Sequence, residues 1–228
     1  MSNVDVLEQL QLVLKPDMSD RRIVCVEEAD TAKADMVLSF YMWYVFTKTD
    51  LPVCMVGVRD TYGHYQNVGL KFHYNLLSMS NQKRFTFVES IVSVDGLVGC
   101  AQDLLKRYPT GSVYMVVDDV SSLLLLGERL EDIVEFLIFS KHQPRLYLVI
   151  GCWKHKADES AKRLASAVSH LADIRVALAP LVTGFSNTAT GTMRITTHES
   201  LFRIDDMSYL YKLADNGLKL TLNLGSVR

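Results

Sequence analysis

The feature that most constrains this fold is a succession of short, mostly apolar segments separated by amphipathic ones. A strand with one face in water alternates polar and apolar residues, whereas a strand covered on both faces is apolar nearly throughout. The second pattern therefore predicts an α/β fold with a mostly parallel sheet and helices on both faces. The apolar segments are residues 22–27, 53–58, 85–88, 113–117, 146–150 and 174–181.

Amphipathic or long apolar stretches between these segments predict the helices. In the stretch 129–141, five apolar residues follow the helical spacing i, i+3, i+4, i+7 and i+8. Further helices are predicted over 31–47, around 64–68, over 96–107 and over 160–173.

The pattern changes toward the C-terminus. Residues 193–199 alternate, and 209–213 and 218–222 flank Asp215-Asn216-Gly217. Asn-Gly between alternating segments is a strong hairpin signal, so an antiparallel C-terminal hairpin extends the parallel sheet. The length of 228 residues favours one domain spanning 1–228.

Composition excludes several classes of protein. The net charge of −2 is incompatible with a strongly basic, DNA-wrapping protein, although a local basic patch is compatible with it. The four cysteines show no C-x-x-C spacing, which argues against zinc and thioredoxin-type sites. Cys25 and Cys54 lie in apolar segments and are interpreted as small buried side chains in a reducing compartment.

No segment indicates secretion or a membrane span. Asp5 and Glu8 do not fit a secretory signal, and the apolar stretch 36–46 is shorter than the ~20 residues that cross a bilayer. We expect a soluble protein of the cytoplasm, with the nucleus as a second location, and no membrane partner.

The turn after the first predicted strand lacks phosphate-binding residues. Residues 27–35 contain no glycine, and the chain has no Gly-Lys-Ser or Gly-Lys-Thr. Glu27, Glu28 and Asp30 stand where a polyphosphate would lie, and like charges ~4 Å apart repel by roughly 1 to 4 kcal/mol. We interpret this turn as structural, with Asp30 as a candidate helix N-cap, and expect no cofactor.

No catalytic residues are predicted. Asp118 and Asp119 follow a buried strand and resemble a degenerate Mg²⁺-holding motif, which we interpret as structural, with one or both carboxylates capping the next segment. His64, His73 and His142 lie on separate segments without H-x-x-H spacing, so no metal is expected. A G-x-S-x-G nucleophile elbow is also missing.

One loop favours nucleic acid. Trp153, Lys154, His155 and Lys156 follow the fifth apolar segment, at the end of a strand where ligands gather in open α/β sheets. Positive groups beside an aromatic ring suit single-stranded nucleic acid. The alternative is a solvated turn before the helix near Ser160.

Several segments of the chain match those of a known family. They are residues 38–41 (LSFY), 53–58 (VCMVGV), 64–65 with 68–69 and 71, 114–127 (YMVVDDVSSLLLLG), 164–171 and 181–195 (LVTGFSNTATGTMRI). The combination of His64-Tyr65, the Asp118-Asp119 segment and Thr183-Gly184-Phe185, in that order, is the most specific part. Together these segments resemble the family of the sixth subunit of the Elongator complex, and the resemblance extends from about Arg22 to the final hairpin.

The resemblance implies a RecA-like, non-catalytic subunit. Members of this family assemble with Elongator proteins 4 and 5 into a hetero-hexameric ring with two copies of each. The ring binds tRNA and acts with the remaining Elongator subunits in modifying carbon 5 of the wobble uridine. Trp153, Lys154, His155 and Lys156 would then form a central tRNA-binding loop, with Arg129 as a second candidate.

Two other classes stay open. One is an atypical nucleotide hydrolase, against which the missing phosphate loop argues. The other is a RecA-paralogue adaptor for single-stranded DNA, although such relatives usually keep a recognisable phosphate loop.

Overall fold

The six apolar segments form strands of one sheet, which has nine strands in the described residues. The computed structural model describes residues 3–16, 22–89, 91–155, 157–182, 184, 186–200, 203–214 and 217–222. The strand order is β3-β2-β4-β5-β1-β6-β7-β8-β9, parallel from β3 to β6 and antiparallel from β6 to β9. The strands are β1 Ile23–Ala29, β2 Val53–Gly57, β3 Phe85–Glu89, β4 Val113–Val117, β5 Leu146–Lys154, β6 Ile174–Pro180, β7 Gly191–Ser200, β8 Arg203–Ala214 and β9 Gly217–Leu222.

Eight helices of the described residues cover this sheet. Within those residues, no helix combines the length and the apolar character needed to cross a membrane. The helices are α1 Asn3–Leu14, α2 Asp35–Lys48, α3 Tyr62–Lys71, α4 Leu76–Asn81, α5 Val94–Arg107, α6 Ser121–Leu125, α7 Leu130–Lys141 and α8 Glu159–Leu171.

The two faces of the sheet carry separate apolar cores. Leucines of α1 and nearly all of α2 pack on one face, with side chains of α3, α4, β7 and β8. Helices α5, α6, α7 and α8 cover the other face. Because helices cover both faces of the parallel part, its strands are buried on both sides, as the apolar segments predicted.

The first helix also contacts the last strand. Leu7, Leu10 and Leu14 of α1 are buried in the same core as Tyr209 of β8, and Leu220 of β9 packs against that core. The two ends of the described chain are therefore held together on one face of the sheet.

The predicted fold class is confirmed, with two local corrections. The helix predicted from residue 31 begins at Asp35, with Ala34 at the N-cap position. Asp30 is not an N-cap, because it lies in the β1–α2 turn with a positive φ of 53°. The hairpin pairing is present, since Leu213 lies opposite Leu218. Its turn residues, 215 and 216, lie outside the described residues.

Short polar side chains begin several helices. The Thr61 hydroxyl accepts a hydrogen bond from the His64 N–H at the start of α3, and the Ser93 hydroxyl accepts one from the Gly96 N–H in α5. The Asp158 carboxylate accepts from Ser160 N–H at 2.8 Å in α8. These caps stabilise the starts of α3, α5 and α8, which follow parallel strands and therefore begin at the carboxyl edge of the sheet, where the candidate site lies.

Candidate functional site at the carboxyl edge of the sheet

Arg59, which follows β2, lies among four carboxylates. Its guanidinium nitrogens are 2.7 Å from Glu28, 3.0 Å from Asp60, 3.6 Å from Asp119 and 3.6 Å from Asp35. We call these five residues the Arg59 cluster. Because the carboxyl ends of the parallel strands meet at one edge, residues distant in sequence converge here.

The charges of the Arg59 cluster are largely withdrawn from water. Glu28 is only 2% exposed, and burial raises the pKa of its carboxyl group although Arg59 opposes this shift. Burial alone would lower the pKa of Arg59, but Glu28, Asp119 and Asp60 outweigh that effect and raise it. The Glu28 carboxylate also accepts the backbone N–H of Ala34 at the start of α2. The cluster therefore holds β1, α2 and the β2–α3 loop together.

Asp118 holds the loop that carries Arg59. Its buried carboxylate accepts backbone N–H groups from Val58 at 2.8 Å, Arg59 at 3.1 Å and Asp60 at 2.8 Å. Burial raises the pKa of the Asp118 carboxyl group, and these three hydrogen bonds oppose that shift. The side chain fixes the loop conformation.

Two glycines permit this close packing. A Cβ atom on Gly57 would lie 2.4 Å from the carbonyl oxygen of Asp60, and one on Gly151 would lie 1.8 Å from that of Asp118. Both distances are below van der Waals contact, and both neighbours are backbone atoms. Only glycine leaves room for the sharp turn of the chain after β2 and for the close approach of the segment after β4 to β5.

Asp119 contacts the segment that follows it. Its carboxylate accepts the Ser121 N–H and the Ser122 hydroxyl, each at 2.9 Å, at the start of α6. Asp118 instead faces the β2–α3 loop. The degenerate acidic motif thus has structural contacts on both of its carboxylates.

Glu27 and Glu28 point to opposite faces of the sheet and do not form the triple acidic patch that the sequence suggested. Glu27 Oε2 accepts from Arg175 at 2.7 Å and from the Ser169 hydroxyl at 3.2 Å, and Glu27 Oε1 lies 3.2 Å from Lys154 Nζ. Alternation along β1 explains the separation, because successive side chains of a strand lie on opposite faces.

The predicted nucleic-acid residues that the structure describes lie at the end of β5, beside the β1–α2 turn. Trp153 Nε1 donates to the Asp30 carbonyl at 3.3 Å, and its ring centroid is 4.8 Å from that of His155. Lys154, at the end of β5, pairs with Glu27. Lys156 lies outside the described residues.

The second candidate, Arg129, lies at the N-cap position of α7. Its exposed guanidinium forms an ion pair with Asp132. Like Lys154, it therefore has an acidic partner within the chain.

One group of side chains could share a cation. Asp35, Asp60 and His64 each place a ligand atom within 4.8 Å of the others, and His64 Nε2 lies 3.0 Å from Asp35. The sequence spacing did not reveal this group, and no metal was predicted. Arg59 already pairs with both aspartates, so a cation would compete with its guanidinium.

The sequence analysis also did not identify Arg59. The sequence does contain a signal for it. Arg59-Asp60 come soon after the buried strand β2, and Asp118-Asp119 follow β4, which pairs with β2 in the sheet. Strand order was needed to interpret it.

The fold belongs to the RecA-like class. The KaiC-like protein PH0186 from Pyrococcus horikoshii OT3 superposes with a TM-score of 0.64, covering 88% of this chain and 89% of that chain. Sequence identity is 10%, so this similarity describes the fold alone. No family model matches the sequence.

Sequence comparison finds more specific relatives than the fold comparison does. The chain is similar to Elongator complex protein 6 of Homo sapiens, with 22% identity over 251 residues, covering 89% of this chain and 91% of the relative. The Rattus norvegicus protein of the same name is 21% identical, covering 91% of this chain and 92% of the relative. The family resemblance inferred from the sequence motifs is confirmed.

Proposed function

We propose that this chain is a non-catalytic subunit of the Elongator complex. In this proposal it joins Elongator proteins 4 and 5 in a hetero-hexameric RecA-like ring, together with the remaining Elongator subunits. The ring binds tRNA and supports modification of the wobble uridine at carbon 5. Its location is the cytoplasm, and the nucleus as well. The similarity to Elongator complex protein 6 along about nine-tenths of both chains supports this assignment.

The Arg59 cluster is the observation that carries the non-catalytic part. In a nucleotide-hydrolysing RecA-like protein, carboxylates at the end of the β4 strand hold Mg²⁺ beside the phosphates. In this chain Asp118 binds three backbone N–H groups, and the guanidinium of Arg59 lies among Glu28, Asp35, Asp60 and Asp119. A metal–nucleotide complex would have to displace these internal contacts.

The tRNA-binding part depends on the loop after β5. Trp153 and His155 offer adjacent rings at the carboxyl edge, and Lys154 is still 41% exposed beside Glu27. Stacking surfaces with nearby positive charge suit unpaired nucleotides, whereas Lys156 and Arg129 would contribute phosphate contacts.

The test is the native mass of this chain co-expressed with Elongator proteins 4 and 5. We expect a hexamer with two copies of each subunit. The assembled ring should bind tRNA without hydrolysing ATP. A monomer that binds neither Elongator protein 4 nor Elongator protein 5 would contradict the assignment. ATP hydrolysis that is lost on substitution of Asp118 would favour the nucleotide-hydrolase alternative.

Charge reversal within the assembled ring tests the loop. Lys154→Glu should weaken tRNA binding and reduce its dependence on salt, because one phosphate contact is lost. Lys106→Glu is the matched control, since Lys106 also pairs with an acid, Asp103, but lies in the last turn of α5. Equal effects of the two substitutions would exclude the loop assignment, and preference for single-stranded DNA over tRNA would favour the adaptor alternative.

A further inference from the structure

Two cysteines that lie 46 residues apart in the sequence meet between β2 and α5. Cys54 Sγ is 3.5 Å from Cys100 Sγ. They line a groove of about 360 Å³ between α5 and the edge strand β3, together with Thr86, Gly99 and Arg107. We call this set of five residues the thiol groove.

The two thiols differ in access to solvent. Cys54 belongs to the buried strand β2 and is 2% exposed, whereas Cys100 lies half-buried on α5. A Cβ atom on Gly99 would meet nothing within 4 Å, so the neighbouring helix surface is open. A small reagent therefore reaches Cys100 before it reaches Cys54.

The thiols also differ in acidity. The hydrogen bond with Cys54 lowers the pKa of Cys100, and the nearby charge of Arg107 lowers it further, while burial and Asp103 oppose both. The same hydrogen bond, together with burial, raises the pKa of Cys54. Because a thiolate is the reactive form of cysteine, the greater exposure and the lowered pKa of Cys100 both favour it over Cys54 as the nucleophile.

We propose that Cys100 is a peroxide-reactive thiol and that Cys54 is its resolving partner. The Cys100 thiolate attacks one oxygen of a hydroperoxide, so that an S–O bond forms, the O–O bond breaks and hydroxide, or the corresponding alkoxide, leaves. The Cys54 thiol then attacks the sulfenic sulfur, an S–S bond forms and water leaves. Two thiols are oxidised to one disulfide, and the peroxide receives the two electrons.

The geometry favours an intramolecular second step. A disulfide bond is about 2.05 Å long, so the sulfurs must approach by roughly 1.5 Å from their present contact. Cys54 is almost fully buried, so the Cys100 sulfur is the more accessible partner of this contact. A sulfenic acid at Cys100 would therefore meet the Cys54 thiol without help from another molecule.

The test treats the full chain with hydrogen peroxide and measures the intact mass and the tryptic peptides. Trypsin places the four cysteines on separate peptides, with Cys54 on 49–59 and Cys100 on 85–106. We expect a mass loss of two hydrogen atoms and a cross-link between these two peptides, reversed by a thiol reductant. A cross-link to Cys25 or Cys152, or no cross-link while Cys100 is converted to higher oxides, would overturn the proposal.

Variants separate the roles of the two thiols. With Cys54→Ala the disulfide should disappear, and a sulfenic acid at Cys100 should be trapped by a carbon-acid probe such as dimedone. Cys25→Ala is the matched control, because burial raises the pKa of Cys25 to about 12 and its thiol lies outside the groove. It should leave the cross-link unchanged.

A second measurement keeps the proposal testable if a buried alanine disturbs folding. In the unmodified chain, iodoacetamide at neutral pH should label Cys100 at least tenfold faster than the other three cysteines. Cys100→Ser, at a half-buried position, should abolish both the fast labelling and the disulfide. Equal labelling of all four thiols would contradict the role of Cys100.

Discussion

The Arg59 cluster, at the carboxyl edge of the sheet, and the thiol groove, between α5 and β3, differ in how completely their polar groups are paired within the chain. At the carboxyl edge, one guanidinium is enclosed by four carboxylates and the supporting Asp118 has three backbone partners. In the groove, the Cys100 thiol has one neighbouring thiol and an open side.

This difference indicates which of the two sites is accessible to an added ligand or reagent. Ligand binding at the Arg59 cluster must first break buried ion pairs, which are costly to break singly because the partner is left charged and desolvated. A reagent entering the groove displaces only solvent. At the carboxyl edge, where RecA-like proteins bind nucleotides, most polar groups of the Arg59 cluster are therefore already paired within the chain, whereas the surface of α5 presents a reactive sulfur atom.

The largest expected effect comes from removing the centre of the Arg59 cluster. Arg59→Leu leaves Glu28 and Asp119 buried without a cation and should lower the free energy of unfolding by about 3–5 kcal/mol. Urea denaturation measures this change. The matched control is Arg194→Leu, because Arg194 forms an exposed pair with Asp206 and should cost about 0–1 kcal/mol. Similar losses of unfolding free energy in the two variants would show that the ion pairs of the Arg59 cluster contribute no more to stability than an exposed pair.

A smaller effect is expected from adding one methyl group at two glycines. Gly151→Ala places a Cβ atom against the Asp118 carbonyl and should destabilise the chain by about 1–3 kcal/mol. Gly99→Ala fills open space within α5 and should stabilise it by about 0.5–1 kcal/mol, since alanine favours helix. Thermal unfolding of both variants checks the opposite signs. The same sign for both would contradict the contrast between a packed edge and an open groove.

The smallest effect concerns the charge beside Cys100. Arg107→Gln removes a cation that lowers the pKa of Cys100, so its alkylation profile should move to higher pH. At neutral pH the alkylation rate should fall, because a smaller fraction of Cys100 is then present as the thiolate. Arg129→Gln, at the N-cap position of α7, is the control and should leave the rate unchanged. An unchanged rate in Arg107→Gln would show that Cys54 alone sets the acidity.

The sequence was sufficient for most of the fold because the parallel strands are buried on both faces. The parallel strands and the helices α2, α3, α5, α7 and α8 were predicted from hydrophobic spacing. The twelve-residue helix α1 was not predicted, and α4 and α6, with six and five residues, offer too few turns for periodicity. The sequence has no glycine in the turn after β1, and that a phosphate is not bound there stays a prediction. The acids at this turn were grouped wrongly, because Glu27 and Glu28 alternate between faces.

The contacts of the two sites needed three-dimensional information. Arg59 became interpretable only when the strand order placed β2 beside β4, and Cys54 meets Cys100 only because α5 crosses back over β2. Neither pairing has a short-range spacing that a linear pattern could reveal. The tRNA-binding residues stay a prediction.

The contact between α1 and β9 has a consequence for synthesis of the chain. The leucines of α1 pack in a core to which the last described strand, β9, contributes Leu220. At roughly 5–20 residues per second, the ribosome needs on the order of 10–40 seconds to produce the intervening segment. Throughout that interval the apolar side of α1 lacks its contact with β9. A newly made chain therefore exposes apolar side chains of α1, which chaperones can bind before folding is complete.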